Sequence, residues 1–520
     1  MADYEEGESI YDDINTNAML VAETDPVTFE EAVKSKKWRE AMVKEMEAIK
    51  KNQTWELTHA PKEVKPIGVK WIYKTKLKEN GEVDKFKARL VAKGYAQHYG
   101  VDYTEVFAPV AKLDTIRIIL SMAAQNSWLI FQLDVKSAFL HGELKEEIYV
   151  QQPAGFIEKG QEEKVHKLKK ALYGLKQAPR AWYNKIEAYF LHNGFERCFC
   201  EHTLFTKSAK EGKILIVSLY VDDLIYTGND RGMCNEFKNS MMSMFDMTDL
   251  GKMRYFLGIE VLQSTHGIFI CQRKYAQEVL ARFNMMECNA VKNPIVPGTK
   301  LSKMDTETKA NATLFKQAVG SLMYLTATRP DLMYAVSLIS RFMANPSETH
   351  WNAIKRILRY LKGTTELGIF YKKGEDIKLV AYKDSDYAGD IDDRKSTSGF
   401  VFSLGTGAVS WSSKKQPIVT LSTTESEYIA ATSCACQCIW IMRILETIGF
   451  KEQKLILILC DSNSAIKLSE NPVFHGRSKH IDVRFHFLRY LVREEKIKLN
   501  HCSTQNQIAD IIYNFPDWFN

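Results

Sequence analysis

The stretch 213–228, KILIVSLYVDDLIYTG, places two adjacent aspartates between two apolar runs. Runs rich in β-branched and aromatic residues are typical of buried strands, so this stretch predicts two short strands joined by a very tight turn. Such turns ordinarily use Asn-Gly or Asp-Gly, which tolerate positive φ, whereas Val-Asp-Asp is a poor choice. Because an unpaired buried charge is very costly, Asp222 and Asp223 must be expelled, neutralised or paired.

The rest of the chain has the composition of a globular protein. Its 520 residues are 45% hydrophobic and 26% charged, which predicts roughly two to four domains. No apolar stretch approaches the ~20 residues of a membrane helix, and the acidic N-terminus lacks the layout of a secretion signal. Ten scattered cysteines indicate reduced thiols and an intracellular setting. We therefore expect no membrane partner.

Changes in composition divide the chain into four segments. Residues 1–25 contain eight acids and no Lys or Arg, and we expect them to be disordered. A linker rich in Pro, Ser, Thr and Lys opens the third segment. The fourth changes to three alternating strands (378–384, 399–404 and 408–422), a long helix and further alternating elements, which predicts a mixed α/β domain with its own core. The predicted segments are 1–25, 26–289, 290–375 and 376–515.

Residues 62–93 form a strongly basic segment. They contain ten bases against four acids, alternating with Trp71, Tyr73 and Phe86, and they predict a β-ribbon that turns at 79–82. Two interpretations are open. The ribbon is either a solvated strand face or an electrostatic surface for a phosphate backbone or a triphosphate.

The paired aspartates would be neutralised if they held divalent ions. In phosphoryl transfer, two ions about 4 Å apart clamp the attacking and leaving oxygens. Mg²⁺ is a hard cation, so its ligands should be carboxylate oxygens. Such a site needs a third acid from elsewhere in the chain. Asp134 is the best candidate because it is a lone acid after the apolar stretch WLIFQL.

The segments around these acids resemble the polymerase of copia-type LTR retrotransposons. DVKSAF from Asp134 and YVDD from Tyr220 are similar to the catalytic segments of reverse transcriptases. The resemblance extends over roughly residues 26–512, with its motifs in order. The segments that carry it include WIYKTKLKENGEVDKFKARLVAKGYAQ, LKKALYGLKQAPRAWY, DRKSTSGFVFSLGTGAVSWSSKKQ and KHIDVRFHFLRY.

This resemblance implies a fold class and a first active site. The class is α/β and α+β multidomain: a right-hand polymerase with fingers, palm and thumb, followed by a ribonuclease H-like mixed-sheet α/β domain. Asp134, Asp222 and Asp223 would be the polymerase metal ligands, holding two Mg²⁺ ions, with Mn²⁺ as an alternative.

Four further residues match positions where the family contacts the incoming nucleotide. Lys87 and Arg89 would grip the triphosphate, although a solvated role is the alternative. Phe139 would exclude a ribose 2′-OH, or else be a core aromatic. Gln177 would contact the sugar of the nucleotide.

A second acidic set lies in the C-terminal segment. Asp384, Glu427, Asp461 and Asp510 fall at strand ends and on helices, and they resemble the four carboxylates of ribonuclease H, which would also hold two divalent ions. Glu425 is an alternative to Glu427, and Asp386 neighbours Asp384.

Two other candidates have weaker support in the sequence. His501 would either assist proton transfer at the ribonuclease site or be a surface histidine. Cys434, Cys436 and Cys438 lie in a helical stretch where alternate residues face different directions, so we do not expect them to bind a metal.

Taken together, the resemblance implies an RNA- and DNA-directed DNA polymerase with ribonuclease H activity. Its partners would be an RNA or DNA template-primer, an RNA–DNA hybrid and dNTPs, in cytoplasmic particles or in the nucleus. The alternative is a decayed or domesticated copy that binds nucleic acid without synthesis. The ending IYNFPDWFN departs from the family's usual text and suggests truncation or a changed reading frame. A purely structural protein is disfavoured because both acidic sets are intact.

Overall fold

The computed structural model describes residues 25–62, 64–77, 82–305, 307–374, 377–450, 455–470 and 482–509, with the backbone alone for 482–485. Three predictions fall wholly or mainly outside these residues: the disordered segment 1–25 except for Asp25, most of the turn at 79–82, and Asp510. The described residues form five sheets, which confirms the predicted multidomain α/β and α+β class.

The first elements form a helical layer on a basic ribbon. Thr28 caps the first helix by accepting a hydrogen bond from the Glu31 amide, and the next helix buries Trp38 and Met42 against the ribbon. The ribbon is an antiparallel pair, as predicted. These elements are α1 (Phe29–Ala32), α2 (Lys36–Lys51), β1 (Trp55–Thr58), β2 (Val69–Leu77) and β3 (Val83–Ala92).

A six-stranded antiparallel sheet follows, in the order β11-β4-β10-β9-β8-β7. Helices α4 and α5 cover one of its faces through a core that includes Trp182, Phe190 and Phe237. A smaller sheet has the order β1-β6-β5. The elements are α3 (Leu113–Gln125), β4 (Phe131–Val135), β5 (Glu143–Val150), β6 (Val165–Lys170), α4 (Ala178–His192), β7 (Glu196–Arg197), β8 (Leu204–Ser208), β9 (Ile214–Tyr220), β10 (Asp223–Gly228), α5 (Arg231–Met244) and β11 (Met247–Lys252).

Four helices then form a helical region that lies in the chain between two neighbouring strands of one sheet. Strand β15 pairs with β14 to complete the order β12-β13-β14-β15. Within the helices, the buried Arg329 donates to the Asp331 carboxylate and to the Thr364 carbonyl, which ties the middle of the region to its C-terminal end. The elements are β12 (Tyr255–Phe256), β13 (Ile259–Gln263), β14 (Gly267–Cys271), α6 (Arg273–Arg282), α7 (Ala312–Leu325), α8 (Met333–Ser340), α9 (Glu348–Gly363) and β15 (Gly368–Lys372).

The C-terminal part is a mixed sheet in the order β18-β17-β16-β19-β20, with β16 antiparallel to β17 and parallel to β19. The predicted mixed α/β architecture is therefore confirmed. The third predicted strand ends at Lys415 instead of 422, close to Pro417, which cannot donate to a ladder. The elements are β16 (Leu379–Ser385), β17 (Thr397–Leu404), β18 (Gly407–Lys415), α10 (Thr423–Thr447), β19 (Ile456–Cys460), α11 (Asn463–Glu470), α12 (Asp482–Arg493) and β20 (Ile497–His501).

Helix α3 joins the C-terminal sheet to the rest of the protein. The buried Arg117 donates to the carbonyls of Val409 and Ala327, both at 2.8 Å, and lies 3.8 Å from the centre of the Trp411 ring. Helix α10 is long and apolar enough to span a membrane, but 61% of its apolar window is buried inside the protein. It is the core helix of the C-terminal sheet.

Candidate functional site

The turn between β9 and β10 is as tight as the sequence predicts, and it is strained. Tyr220 pairs directly with Asp223, so Val221 and Asp222 alone form the turn. Val221 has a φ of 56°, in the left-handed region that a β-branched residue rarely occupies. The surrounding structure holds it there, because Trp182 Nε1 donates to the Val221 carbonyl at 2.6 Å. Strain of this kind clusters at functional sites.

Asp134 lies beside this turn. It is the register partner of Asp223 across β4 and β10, and the Val135 amide donates to the Asp222 carbonyl at 2.9 Å. Side chains of directly opposed residues have Cβ atoms about 4.5–5.5 Å apart. Ser137, with a φ of 52°, then turns the chain away from the sheet. The structure therefore brings the three predicted polymerase acids together where β4 ends and β10 begins.

This cluster of three acids has an excess of negative charge. Burial and, after it, the neighbouring Asp222 and Asp134 carboxylates together raise the pKa of Asp223 to about 6, against a hydrogen bond from Gln132 that lowers it. Burial also raises the pKa of Asp222, again with Asp134 acting in the same direction. A cluster of buried carboxylates with raised pKa values is typical of a site that is completed by a cation.

Three of the predicted nucleotide-binding residues lie close to this cluster. Arg89 donates to Glu45 at 2.5 Å and lies 4.8 Å from the centre of the Tyr173 ring, whose other neighbour is Phe139 at 4.9 Å. The pKa of Tyr173 is raised by burial and, among other charges, by Asp222, which places this tyrosine between the basic ribbon and the acids.

Lys87 stands on the same face of β3 as Arg89, two residues away. Burial and, after it, the positive charges of Arg89 and Lys76 together lower its pKa to about 8, whereas Asp134 and Glu45 act in the opposite direction. Lys87 is thus a partly buried base within the electrostatic range of the acidic cluster.

Gln177 is buried at the N-terminus of α4. Its amide donates to the Asp102 carbonyl at 2.8 Å and accepts a hydrogen bond from Gln97 at 3.0 Å. The structure therefore gives Gln177 partners in the 97–102 loop. The sequence offered no signal for these partners, because they lie about 80 residues away.

Two of the predicted C-terminal acids, Glu427 and Asp461, are also brought together. The ligand atoms of Glu427, Cys460 and Asp461 lie within 4.8 Å of one another. We call these three residues the C-terminal cluster. Burial and, after it, charges that include Asp461 and Asp384 together raise the pKa of the nearby Cys502 to about 11, so Asp384 belongs to the same neighbourhood.

The alternatives to these acids have other partners. Asp386 accepts a hydrogen bond from the Thr397 amide at 2.6 Å, and Glu425 accepts one from the Leu421 amide at 2.5 Å beside the start of α10. His501 is exposed on β20. Among the other candidates, Cys434 and Cys438 are buried while Cys436 is exposed, so alternate residues of that run do face different directions.

One residue that contacts the C-terminal cluster was missed from the sequence. Lys383 is fully buried, and its ammonium group donates to the Glu427 carboxylate and to the Glu427 carbonyl. Burial opposes this charge, but Glu427 and Cys460 hold the pKa of Lys383 above its ordinary value. A signal did exist, because Leu379 and Ala381 point inward from β16 and Lys383 has the same parity.

The two clusters differ in how well they fit divalent ions. Asp134, Asp222 and Asp223 offer only hard carboxylate oxygens in a half-buried, negatively charged corner, which fits Mg²⁺. At the C-terminal cluster the Glu427 carboxylate already binds an ammonium group. That carboxylate does not fit a divalent ion as it stands, whereas Asp461 and Asp384 offer oxygens that do.

Comparison with known proteins agrees with this geometry. Residues 52–297 match the family described as Reverse transcriptase (RNA-dependent DNA polymerase). The retrovirus-related Pol polyprotein from transposon TNT 1-94 of Nicotiana tabacum is 44% identical over 481 residues, which are 91% of this chain and 36% of that protein. The putative transposon Ty5-1 protein YCL074W of Saccharomyces cerevisiae is 33% identical over 303 residues, 58% of this chain and 98% of that protein.

The chain therefore spans about a third of the length of the Nicotiana polyprotein. Among solved structures, the foamy viral protease-reverse transcriptase dRH in complex with ds DNA matches 90% of this chain and 70% of its own, with 10% identity and a TM-score of 0.49. A likeness this distant decides nothing about activity, which the site itself must support.

The raised pKa values of the aspartate pair predict a pH dependence of stability. A native pKa above the unfolded value of about 3.9 means that the native state binds more protons between about pH 4 and pH 6, so stability falls as pH rises through that window. In EDTA, we expect the melting temperature of Asp223→Asn to fall less than that of the parent as the pH rises through this window. Scanning fluorimetry measures both melting temperatures.

The control for this prediction is Asp84→Asn, which changes an exposed aspartate on β3. It should show the pH dependence of the parent. If the melting temperature fell equally with pH in the parent, Asp223→Asn and Asp84→Asn, the charge excess at the cluster would be contradicted. Addition of Mg²⁺ at pH 7 should raise the melting temperature of the parent more than that of Asp223→Asn.

Proposed function

The chain belongs to the reverse transcriptases of copia-type retrotransposon Pol polyproteins, and we propose that it acts as an RNA- and DNA-directed DNA polymerase. The observation that carries this proposal is the register of β4 and β10, which sets Asp134 opposite Asp223 beside a strained turn. Two Mg²⁺ ions held by these acids and Asp222, or two Mn²⁺ ions, would supply charge stabilisation at the attacking and leaving oxygens.

The protein's own groups would position the nucleotide. Lys87 and Arg89 project from the basic ribbon toward the acids, where they are suited to bind the triphosphate of a dNTP. Arg89 is held by Glu45 and by the face of Tyr173, which fixes its guanidinium group. Effective catalysis needs such preorganised charge because little reorganisation is then required during the reaction.

Sugar selection would depend on Phe139 and Gln177. Phe139 packs against Tyr173, so its ring cannot retreat easily from a 2′-hydroxyl group. Gln177 is held by Gln97 and Asp102 at the start of α4, and we propose that it supports the sugar from that anchored position.

For the C-terminal part, we propose ribonuclease H activity on the RNA of an RNA–DNA hybrid. Asp384, Glu427 and Asp461 support this proposal by their common neighbourhood, with Asp510 as the fourth acid. We assign residues 26–289 to the polymerase, 290–375 to a connection and 376–515 to this domain. An RNA or DNA template-primer would be bound through the basic ribbon, in cytoplasmic particles or in the nucleus.

Primer extension on an RNA template with Mg²⁺ tests the polymerase. We expect dNTP incorporation by the parent, and a loss of at least about a hundredfold in Asp222→Asn, because metal ions contribute several kcal/mol and each 1.36 kcal/mol is tenfold. Asp249→Asn, which changes an exposed acid on β11 of the same sheet, should keep the parental rate. Template binding without incorporation by the parent would instead favour a decayed copy.

Ribonucleotide use tests Phe139. We expect Phe139→Ala to increase rNTP incorporation relative to dNTP by roughly tenfold or more, because removal of a ring opens space for the 2′-hydroxyl group. The measurement is kcat/KM for each nucleotide in single-nucleotide extension. Phe156→Ala, which removes a ring packed on Trp71, is the control and should not change the ratio. An unchanged ratio in Phe139→Ala would mean that this ring only fills the core.

Asp461→Asn tests whether the two sites are separate. We expect it to abolish cleavage of labelled RNA in an RNA–DNA hybrid and to leave primer extension within about twofold, because the two acid clusters belong to different sheets. Glu446→Gln, at an exposed position of α10, should keep both activities. If both activities vanish together in a folded Asp461→Asn protein, the two-site proposal is wrong.

A further inference from the structure

Lys383 places a positive charge inside the C-terminal cluster. Its side chain is 0% exposed, and it reaches from β16 to α10, where the ammonium group donates to both a carboxylate oxygen and the backbone carbonyl of Glu427. Cys460 and Asp461 offer ligand atoms within 4.8 Å of those of Glu427. The ammonium group therefore lies where a cation bound to Glu427 would lie.

The position of Lys383 is fixed by its backbone. Lys383 pairs with Phe400 in the ladder between β16 and β17, and its carbonyl accepts a hydrogen bond from Gln507 at 2.9 Å. Because its backbone is held on both sides, the Lys383 side chain stays buried in the protein core. Moving the ammonium group away from Glu427 would leave two buried charges without their partners, which is strongly unfavourable.

A divalent ion at the same carboxylate would meet direct repulsion. Like charges a few ångströms apart repel strongly in a partly buried site, where water screens them poorly. The polymerase acids provide the contrast within the same chain. There the carboxylates of Asp134, Asp222 and Asp223 lie together, and the nearby Lys87 has a lowered pKa.

We infer that the ammonium group of Lys383 permanently occupies one of the two cation positions of the C-terminal cluster. The cluster then takes one divalent ion fewer than it would with a neutral residue at 383, and Glu427 serves as the partner of Lys383 and not as a metal ligand. This inference rests on the proposed function in so far as that function assigns a cation site to these acids.

Counting bound Mn²⁺ ions tests this occupancy directly. The full chain carrying Asp222→Asn and Asp223→Asn provides the background, because the polymerase acids are then disabled as ligands. Bound Mn²⁺ is measured by electron paramagnetic resonance titration, with and without Lys383→Ser. We expect Lys383→Ser to gain one Mn²⁺ per chain, and we expect that gain to disappear when Glu427→Gln is added.

Two further variants complete the test. Lys378→Ser removes an exposed lysine just before the same strand and should not change the number of bound ions. Lys383→Met removes the charge but keeps a long side chain in the core. It should fold even if Lys383→Ser does not, and we expect it also to bind one more Mn²⁺ ion than the background protein. An unchanged ion count in folded Lys383→Ser and Lys383→Met proteins would overturn the inference.

Hybrid cleavage, measured on the same Lys383 variants with the polymerase acids intact, separates this inference from the proposed function. A gain of one Mn²⁺ without cleavage in any protein would support the occupancy by Lys383 and reject ribonuclease activity. Cleavage by the parent together with an unchanged ion count in both variants would support the activity and reject the occupancy.

Discussion

The need to neutralise buried carboxylates governs both acidic clusters of this protein. Taking a charge out of water is unfavourable unless a partner of opposite sign replaces the lost hydration. At the polymerase acids, burial and the neighbouring Asp222 and Asp134 carboxylates raise the pKa of Asp223 to about 6, and we propose that divalent cations neutralise this cluster. At the C-terminal cluster the chain carries its own cation, because Lys383 binds Glu427. The same constraint thus has two different solutions.

Backbone strain at the polymerase site is maintained by long-range contacts. Val221 and Ser137 both have positive φ, and residues in such conformations are destabilised by roughly 1–3 kcal/mol each. The turn at Val221 is held by a hydrogen bond from Trp182, whose ring is buried in the core beneath the sheet. The acids are therefore positioned by a rigid sheet and a packed helix, which suits a reaction that depends on the exact separation of two cations.

The C-terminal sheet does not stand apart from the polymerase part. Helix α3 contributes Arg117, which is buried against Trp411 and bonded to Val409 of the C-terminal sheet and to Ala327 of the helical region. Strand β15 likewise returns from the helical region to pair with β14. Charged groups buried at such junctions specify one arrangement, because any other would leave them without partners.

The sequence by itself determined the local elements of this protein: the alternation of β16, the tight turn at Asp222 and Asp223, and the lone acid near the end of β4. These follow from periodicities of a few residues, and together with the ordered motifs they identified the family. Only the tertiary structure decided that Asp134 faces Asp223, that Arg89 is bound to Glu45, and that Lys383 fills the C-terminal cluster. The physical reason is that strand register and side-chain partners join residues some 40 to 90 positions apart, and no local pattern specifies which of many such pairs will form.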